Sequence, residues 1–136
     1  MRRLLLILGV IGLLLVVVTP TVAENVINPR TKIWTYYVPY FSVGAGGWSS
    51  SLNIVNASTM DTSIGITYLR ADGGYEFQKN VDLNSQQQYL SWRGEGNLPD
   101  RWVGSVRIDA YTPLAIAVHH LGPNGAAMGY MVEKIP

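Results

Sequence analysis

The chain beyond its N-terminal hydrophobic stretch is predicted to be all-β, an antiparallel two-sheet β-sandwich of about eight short strands. Apolar and polar residues alternate with a period of two in segments such as 62–70 and 102–110, which is the pattern of half-buried strands. Turns rich in Gly, Pro, Asn and Asp separate such segments at intervals of roughly 8 to 12 residues. A small closed β-barrel has the same periodicity and is the alternative fold.

The strands can be assigned in chain order from their turns. Asp-Gly and Gly-Gly within residues 71–74 accept a positive φ without steric cost, so they indicate a hairpin. Pro39 has no N–H for a ladder, so we expect a sheet edge or a bulge there. Alternation places Tyr75, Phe77 and Val81 on the inward face of their strand. The predicted strands are 33–43, 48–56, 62–70, 75–81, 86–92, 102–110, 114–121 and 126–135.

The first 23 residues are predicted to be an export signal. Arg2 and Arg3 form a positive start, residues 4–18 contain only Leu, Ile, Val and Gly, and the segment closes at Ala23, the predicted cleavage site. Counting through to Ala23 gives about 20 apolar residues, the length of a membrane-spanning helix. An uncleaved signal anchor therefore stays open beside the cleaved signal peptide.

The rest of the chain divides into a short polar linker, residues 24–32, and one β-sandwich domain, residues 33–136. The domain is translocated whether or not the signal is cleaved, so we expect an extracellular, cell-surface or periplasmic protein. It would touch a membrane only through an uncleaved N-terminal segment. The chain has no cysteine, so we expect packing, and not disulfides, to stabilise this exported domain.

The charge of the part after the signal argues against one class of partner. The chain has ten Lys and Arg residues and nine Asp and Glu residues, so loss of Arg2 and Arg3 leaves eight basic against nine acidic residues, a net charge of −1. Nucleic acids are bound mainly through clusters of Lys and Arg that neutralise phosphates. We therefore expect no nucleic-acid partner, and no binding to anionic lipid headgroups.

The two histidines give a weak indication of a metal site. His119 and His120 are adjacent on a predicted strand and point to opposite faces, so they do not form one chelating pair. Alternation places His120 on the face of Leu114, Ile116 and Val118, and we expect one histidine to pack with a satisfied hydrogen bond and the other to be exposed. The alternative is a metal held by one histidine and Asp109 of a neighbouring strand. We assign no cofactor and no catalytic residue.

Acidic residues do not indicate glycosidase chemistry, which uses two carboxylates facing each other across a cleft. Asp72, Asp82, Glu95 and Asp100 all fall in predicted turns. Asp commonly stabilises the backbone of a turn, and we expect Glu95 to be simply solvated. The chain is therefore predicted not to be an enzyme.

Three tryptophans are the main candidates for a ligand site. Trp48, Trp92 and Trp102 lie beside predicted loops, where planar rings could stack on the faces of sugars. Core packing is the competing explanation for all three. It applies most strongly to Trp102, which is in register with Val106 and Ile108.

Two further segments carry interaction hypotheses. The first strand, residues 33–43, is rich in aromatic side chains, and we expect it to pair within its own sheet. The alternative is that it completes a neighbour's sheet by β-augmentation. Asn56-Ala57-Ser58 matches the sequon for N-glycosylation.

Four sequence patterns carry a resemblance. They are residues 47–58 (GWSSSLNIVNAS), 66–68 (ITY), 98–105 (LPDRWVGS) and 113–118 (PLAIAV). Together they resemble an uncharacterised bacterial cell-surface β-sandwich module found as repeats in exported proteins. More distantly, they are similar to the sensory rhodopsin transducer family, a small β-sandwich. That family is cytoplasmic and has no leader, so the resemblance implies a fold and not a function.

The sequence therefore predicts a non-enzymatic exported β-sandwich that acts as a structural or adhesive cell-surface module. Two alternatives stay open. One is a carbohydrate-binding module that uses exposed tryptophans. The other is a filament or surface-layer subunit that assembles through its aromatic first strand. The expected partners are accordingly glycans or other copies of the chain.

Overall fold

A computed structural model describes residues 33–136, which form an all-β fold. The eight strands are β1 (Trp34–Val43), β2 (Ser49–Asn56), β3 (Thr62–Arg70), β4 (Tyr75–Leu83), β5 (Gln88–Trp92), β6 (Trp102–Ala110), β7 (Leu114–Leu121) and β8 (Ala127–Val132). The predicted signal and linker lie outside the described residues. Within residues 33–136, no helix has the length and apolar character needed to cross a membrane.

Each predicted strand segment overlaps one observed strand, and the differences lie at the ends. The last strand ends at Val132, three residues before the predicted end, and the turn between β4 and β5 comes two residues later than expected. The N–H of Gln87 donates to the carbonyl of Asn84 (3.0 Å), and the N–H of Asn84 donates to the side chain of Gln87 (2.8 Å). These bonds form the turn at residues 84–87, so β4 extends to Leu83.

All strand pairs are antiparallel, and they form one open sheet. Its order is β4-β3-β6-β1-β2-β7-β8, and β5 also pairs with β2. β1 and β2 share a single pair, Val43 with Ser49, so the sheet divides into a first half-sheet (β4-β3-β6-β1) and a second half-sheet (β5-β2-β7-β8). β4 and β8 stand at the two ends of the order, so the sheet is not the closed barrel of the alternative prediction.

The two half-sheets share one hydrophobic core. The N–H of Leu114 in β7 donates to the Tyr36 hydroxyl in β1 (2.8 Å), and the Tyr68 hydroxyl in β3 is hydrogen-bonded to Ser91 in β5 (3.1 Å). Burial raises the pKa of Tyr68 to about 12. The largest fully buried apolar side chains come from both halves: Val38, Phe41, Leu52, Ile54, Ile64, Ile66, Leu83, Val106, Ile108, Ile116 and Val118.

Two register shifts modify the alternation. The first lies in β1 between Val38 and Phe41, so Pro39 sits at a bulge, as predicted. The second sets Tyr75 opposite Leu69, after Tyr68 has paired with Phe77. It moves Tyr75 to the outer face, where its side chain is 60% exposed, so the prediction that Tyr75 points inward was wrong.

The side chain of Asn56, in the sequon, joins three loops through its hydrogen bonds. Its side chain is fully buried, and its Nδ2 donates to the carbonyls of Met60 (2.7 Å) and Asn84 (3.0 Å). Its Oδ1 accepts hydrogen bonds from Ser58 Oγ (3.0 Å) and Thr112 Oγ1 (3.1 Å). A glycan on Nδ2 would displace these bonds, so the folded domain does not present Asn56 as a glycosylation site.

Candidate functional site

An open groove of about 640 Å³ lies where β5 runs into the turn that follows it. Leu90 and Trp92 occupy alternate positions on the outer face of β5, and the Trp92 side chain is 44% exposed. The remaining wall comes from the segment after β5. The groove is lined chiefly by Leu90, Trp92, Arg93, Glu95, Leu98 and Asp100.

The turn Arg93–Gly96 has an unusual backbone. Its φ values are 50° at Arg93, 62° at Gly94, 57° at Glu95 and 77° at Gly96, so four consecutive residues are in the left-handed region. L-amino acids with a Cβ lose about 1–2 kcal/mol each in this conformation. Arg93 and Glu95 are therefore strained, and contacts elsewhere must hold them in place.

Glu95 is held by two side chains, one from β4 and one from β5. Its carboxylate accepts hydrogen bonds from the ammonium of Lys79 in β4 and from the hydroxyl of Tyr89 in β5. Partial burial would raise the pKa of Glu95, but these two donors outweigh it and hold that pKa below its ordinary value. Glu95 is thus an anchor of the turn, which corrects the expectation that it is simply solvated.

Leu98 holds the turn from below. Its side chain is buried, and a Cβ at position 94 would lie 2.5 Å from Leu98 Cδ1. Only glycine at position 94 lets the turn pack this closely on the core. The side-chain amide of Asn97 also donates to the carbonyl of Gly94 (3.3 Å), which closes the turn.

Arg93 lines the groove together with Trp92 and brings a cation to it. Its Nη2 is 3.3 Å from Oδ1 of Asp100. Its Nε is buried and has no hydrogen-bond acceptor within residues 33–136. The guanidinium also lies close to Gly44, where an added Cβ would be 3.3 Å from Nη2. The groove therefore combines one exposed aromatic ring with a fork of donors and two carboxylates.

The other two candidate tryptophans occupy different surroundings. Trp102 is only 8% exposed and packs edge-on against Phe41 and Tyr68, so the structure removes it from the ligand platform and places it in the core. Trp48 is half-buried, with its ring over Gly122, where an added Cβ would lie 2.7 Å from it. Of the three, Trp92 alone lines the groove.

The metal candidates are not brought together. His120 is buried on the inner face of β7 and His119 is exposed on the outer face, as expected. Asp109 lies on β6 of the first half-sheet, where it accepts a hydrogen bond from Thr35 (2.7 Å) and pairs with Arg107 (2.9 Å). Among residues 33–136, no group of three or more His, Asp or Glu side chains could hold a metal ion.

The outer face of the second half-sheet continues from the groove. Trp92 pairs across the strands with Ser51, Ser51 with His119, and His119 with Gly129. Among the described outward positions of β5, β2, β7 and β8 there is no Asp, Glu, Lys or Arg. The outer face of the first half-sheet differs, since it carries charges such as Asp82, Arg107 and Asp109.

Sequence reasoning found Trp92 but missed Arg93, Glu95 and Lys79 as parts of one site. A Trp beside a loop was sufficient to suggest an exposed ring. The alternating glycines of Arg93-Gly94-Glu95-Gly96 were the available signal for a left-handed turn. The contact between Glu95 and Lys79 joins residues that are 16 positions apart in the sequence. It depends on how closely β4 approaches β5 in the folded domain.

Two solved structures are similar to this chain. No known family model matches it, and no curated protein sequence does. The crystal structure of Thermotoga maritima 1070 matches with a TM-score of 0.64 and 18% identity, over 74% of this chain and 92% of that one. The Anabaena sensory rhodopsin transducer matches with a TM-score of 0.51 and 13% identity, over 62% of this chain and 85% of that one.

The likeness is one of fold. It confirms the distant resemblance to the sensory rhodopsin transducer at that level. No match supports the resemblance to a cell-surface repeat module. At these identities neither structure assigns a ligand or a partner to the groove.

Proposed function

We propose that this chain is a non-enzymatic, exported β-sandwich module that acts in adhesion at the cell surface by binding a saccharide in the Trp92 groove. One observation carries the proposal, the exposed Trp92 ring beside the strained left-handed turn Arg93–Gly96. Backbone strain of this kind persists only where surrounding contacts enforce it, and it clusters at ligand sites. Here those contacts are Leu98 beneath the turn and Lys79 beside it.

The chemistry of the groove favours a sugar over other small ligands. An aromatic ring offers a flat apolar face on which the C–H groups of a pyranose can stack. Arg93 offers several N–H donors in a planar fork, and the Asp100 carboxylate offers acceptors. A saccharide with neighbouring hydroxyls can use donors and acceptors together.

Charge pairing favours a neutral saccharide. Arg93 is paired with Asp100, and Glu95 with Lys79, so the two pairs cancel. The adjoining outer face of the second half-sheet carries no charged side chain among its described positions. A polyanionic ligand would gain little attraction from such a surface.

Export and the sandwich architecture are part of the same proposal. The positive, apolar and small-residue pattern of the first 23 residues supports translocation. Two half-sheets around one core, and the likeness to Thermotoga maritima 1070, support a sandwich. The Lys79 ammonium and the Tyr89 hydroxyl occupy the Glu95 carboxylate, which supports binding without hydrolysis, since a glycosidase needs two free facing carboxylates.

The test is calorimetric titration of the exported protein with soluble fragments of neutral polysaccharides. We expect Trp92→Ala to abolish binding without a change in the urea midpoint, because the ring is exposed. Trp48→Ala is the matched control and should keep the affinity of the unchanged protein. Full affinity in Trp92→Ala would contradict the proposal, as would the absence of binding to every neutral fragment.

A further inference from the structure

Strand β8 is a sheet edge without charge. One side of β8 pairs with β7, and no strand within residues 33–136 pairs with its other side. Its sequence, AMGYMV, contains no charged residue and no proline, and five of its six residues are exposed. The chain turns towards β1 only after the strand, where Lys134 bridges to Tyr36 and the N–H of Ile135 donates to Thr35.

Two other edge strands, β4 and β5, are protected in ways that β8 is not. β4 carries Glu76, Lys79 and Asp82, and charged side chains on an edge oppose pairing with another sheet. β5 is only five residues long and runs directly into the left-handed turn. An uncharged edge with Met128, Tyr130 and Met131 all exposed is a template for a further strand.

We infer that β8 pairs antiparallel with β8 of a second copy of this chain, and that the second half-sheets of the two copies become one continuous sheet across a two-fold axis. A two-fold interface brings each surface against itself, so a charge on the axis would face a like charge, and a single charge elsewhere on the strand would face an uncharged side chain. β8 has none. A partner of different sequence would have no need of a charge-free edge, and its own charges would find no complement here.

The register follows from the ends of the strand. The Val132 end leads into the Lys134 bridge with β1, which leaves residues 127–131 for a partner. A two-fold axis at the middle of this stretch sets Gly129 opposite itself, where no side chain separates the backbones. Met128 then faces Tyr130 of the second copy, a favourable sulfur–aromatic contact. Ala127 faces Met131 on the outer side.

Pairing would place two Trp92 grooves on one face. Seven strand spacings of about 4.8 Å separate them, which is about 34 Å along the sheet. A polymeric ligand could engage both grooves, and the second engagement would then be intramolecular. This consequence rests on the proposed saccharide site, whereas the pairing itself does not.

The test is sedimentation velocity on the protein purified as a bacterial expression host exports it. We expect a dimer. Ala127→Lys with Met131→Lys puts like charges opposite each other at two places, and should weaken association at least tenfold. Ala127→Glu with Met131→Lys puts opposite charges at the same places and should restore the dimer. Met60→Lys is the control, because Met60 and Met131 are both 64% exposed and Met60 lies in the β2–β3 turn.

Circular dichroism and urea midpoints verify that the variants fold, which we expect because both positions are exposed. A monomer at all concentrations would overturn the inference, as would a dimer that the double-lysine variant leaves intact. Failure of the glutamate–lysine variant to reassociate would overturn the register. Affinity per groove for a saccharide should stay unchanged in the double-lysine monomer, so loss of the dimer and loss of the sugar site are separate outcomes.

Discussion

Nδ1 of His120 lies 2.7 Å from Oγ of Ser50, and both side chains are buried between the half-sheets. The same Oγ accepts a hydrogen bond from the N–H of Ser42 (2.9 Å), and its own proton is available for donation to Nδ1 of a neutral His120. Burial lowers the pKa of His120, and the neighbouring His119 lowers it further.

Acid should therefore destabilise the protein through His120. A histidine whose pKa is lower in the folded than in the unfolded state contributes stability that is complete above about pH 6.5, the unfolded value, and is lost as the pH falls through the folded value. We expect the free energy of urea unfolding to fall from pH 7.5 to pH 5. His120→Gln should flatten this dependence, and the exposed control His119→Gln, which removes only the lesser cause of the shift, should keep most of it. An equally steep loss in His120→Gln would refute the assignment.

Loss of the buried Asn56 side chain should destabilise the domain more than loss of the half-buried Asn53 side chain. Asn56→Ala removes one donor from each of the carbonyls of Met60 and Asn84 and leaves the buried hydroxyl of Thr112 without its acceptor, and a buried polar group that loses its partner costs about 1–3 kcal/mol. We expect a loss of about 3 kcal/mol in urea unfolding. Asn53→Ala, which removes one bond from Gln88 on the outer face, is the control and should cost under about 1 kcal/mol. Similar losses of unfolding free energy in the two variants would show that the Asn56 hydrogen bonds stabilise the domain no more than the Asn53 bond does.

Two alanine substitutions separate strain from contact in the left-handed turn. Gly96→Ala introduces a Cβ at φ 77° with no heavy atom within 4 Å, so it should cost only the strain, about 1–2 kcal/mol. Gly94→Ala adds the clash with Leu98 to the same strain, so it should cost more and should also weaken ligand binding at Trp92. Thermal unfolding of both variants measures the difference, and equal losses would exclude Leu98 as the support of the turn.

Removal of Lys79 should raise the pKa of Glu95. In the folded protein that pKa is depressed, so the contribution of Glu95 to stability is present above its ordinary value and is lost as the pH falls through the depressed value. Lys79→Met deletes the strongest donor to the carboxylate, and an NMR titration of the Glu95 side chain should show the rise. Arg70→Met, which removes the exposed partner of Asp72, should leave the Glu95 titration unchanged.

Alternation and turn composition were sufficient to find all eight strands, because most strands have one face on the core and one on solvent. They failed at Tyr75, since a bulge depends on how β3 and β4 pair and not on either sequence alone. They also did not indicate which strands are neighbours. β1 pairs with β6 and β2 with β7, and such distant pairing leaves no local signal in the chain.

The candidate site was predictable only in part. Trp92 could be suggested because an aromatic residue followed by a Gly-rich segment marks an exposed ring beside a loop. The roles of Arg93 and Glu95 could not be, because their left-handed backbone depends on Leu98 beneath them and on Lys79 across the gap between β4 and β5. The same dependence on tertiary packing explains why a sequon at Asn56 was a misleading signal.

The strand order determines which strand pairs can form early in folding and which must form late. Trp34 pairs with Ala110, 76 positions later (110 − 34), and Ser49 pairs with Leu121, 72 positions later (121 − 49). Pairing of such distant segments is slow, because a long loop must close before any contact is gained. The hairpins β3–β4 and β7–β8 can form locally, but β1 and β2, which are synthesised first, must wait for β6 and β7. A partly synthesised chain therefore cannot complete either half-sheet until β6 and β7 have been made.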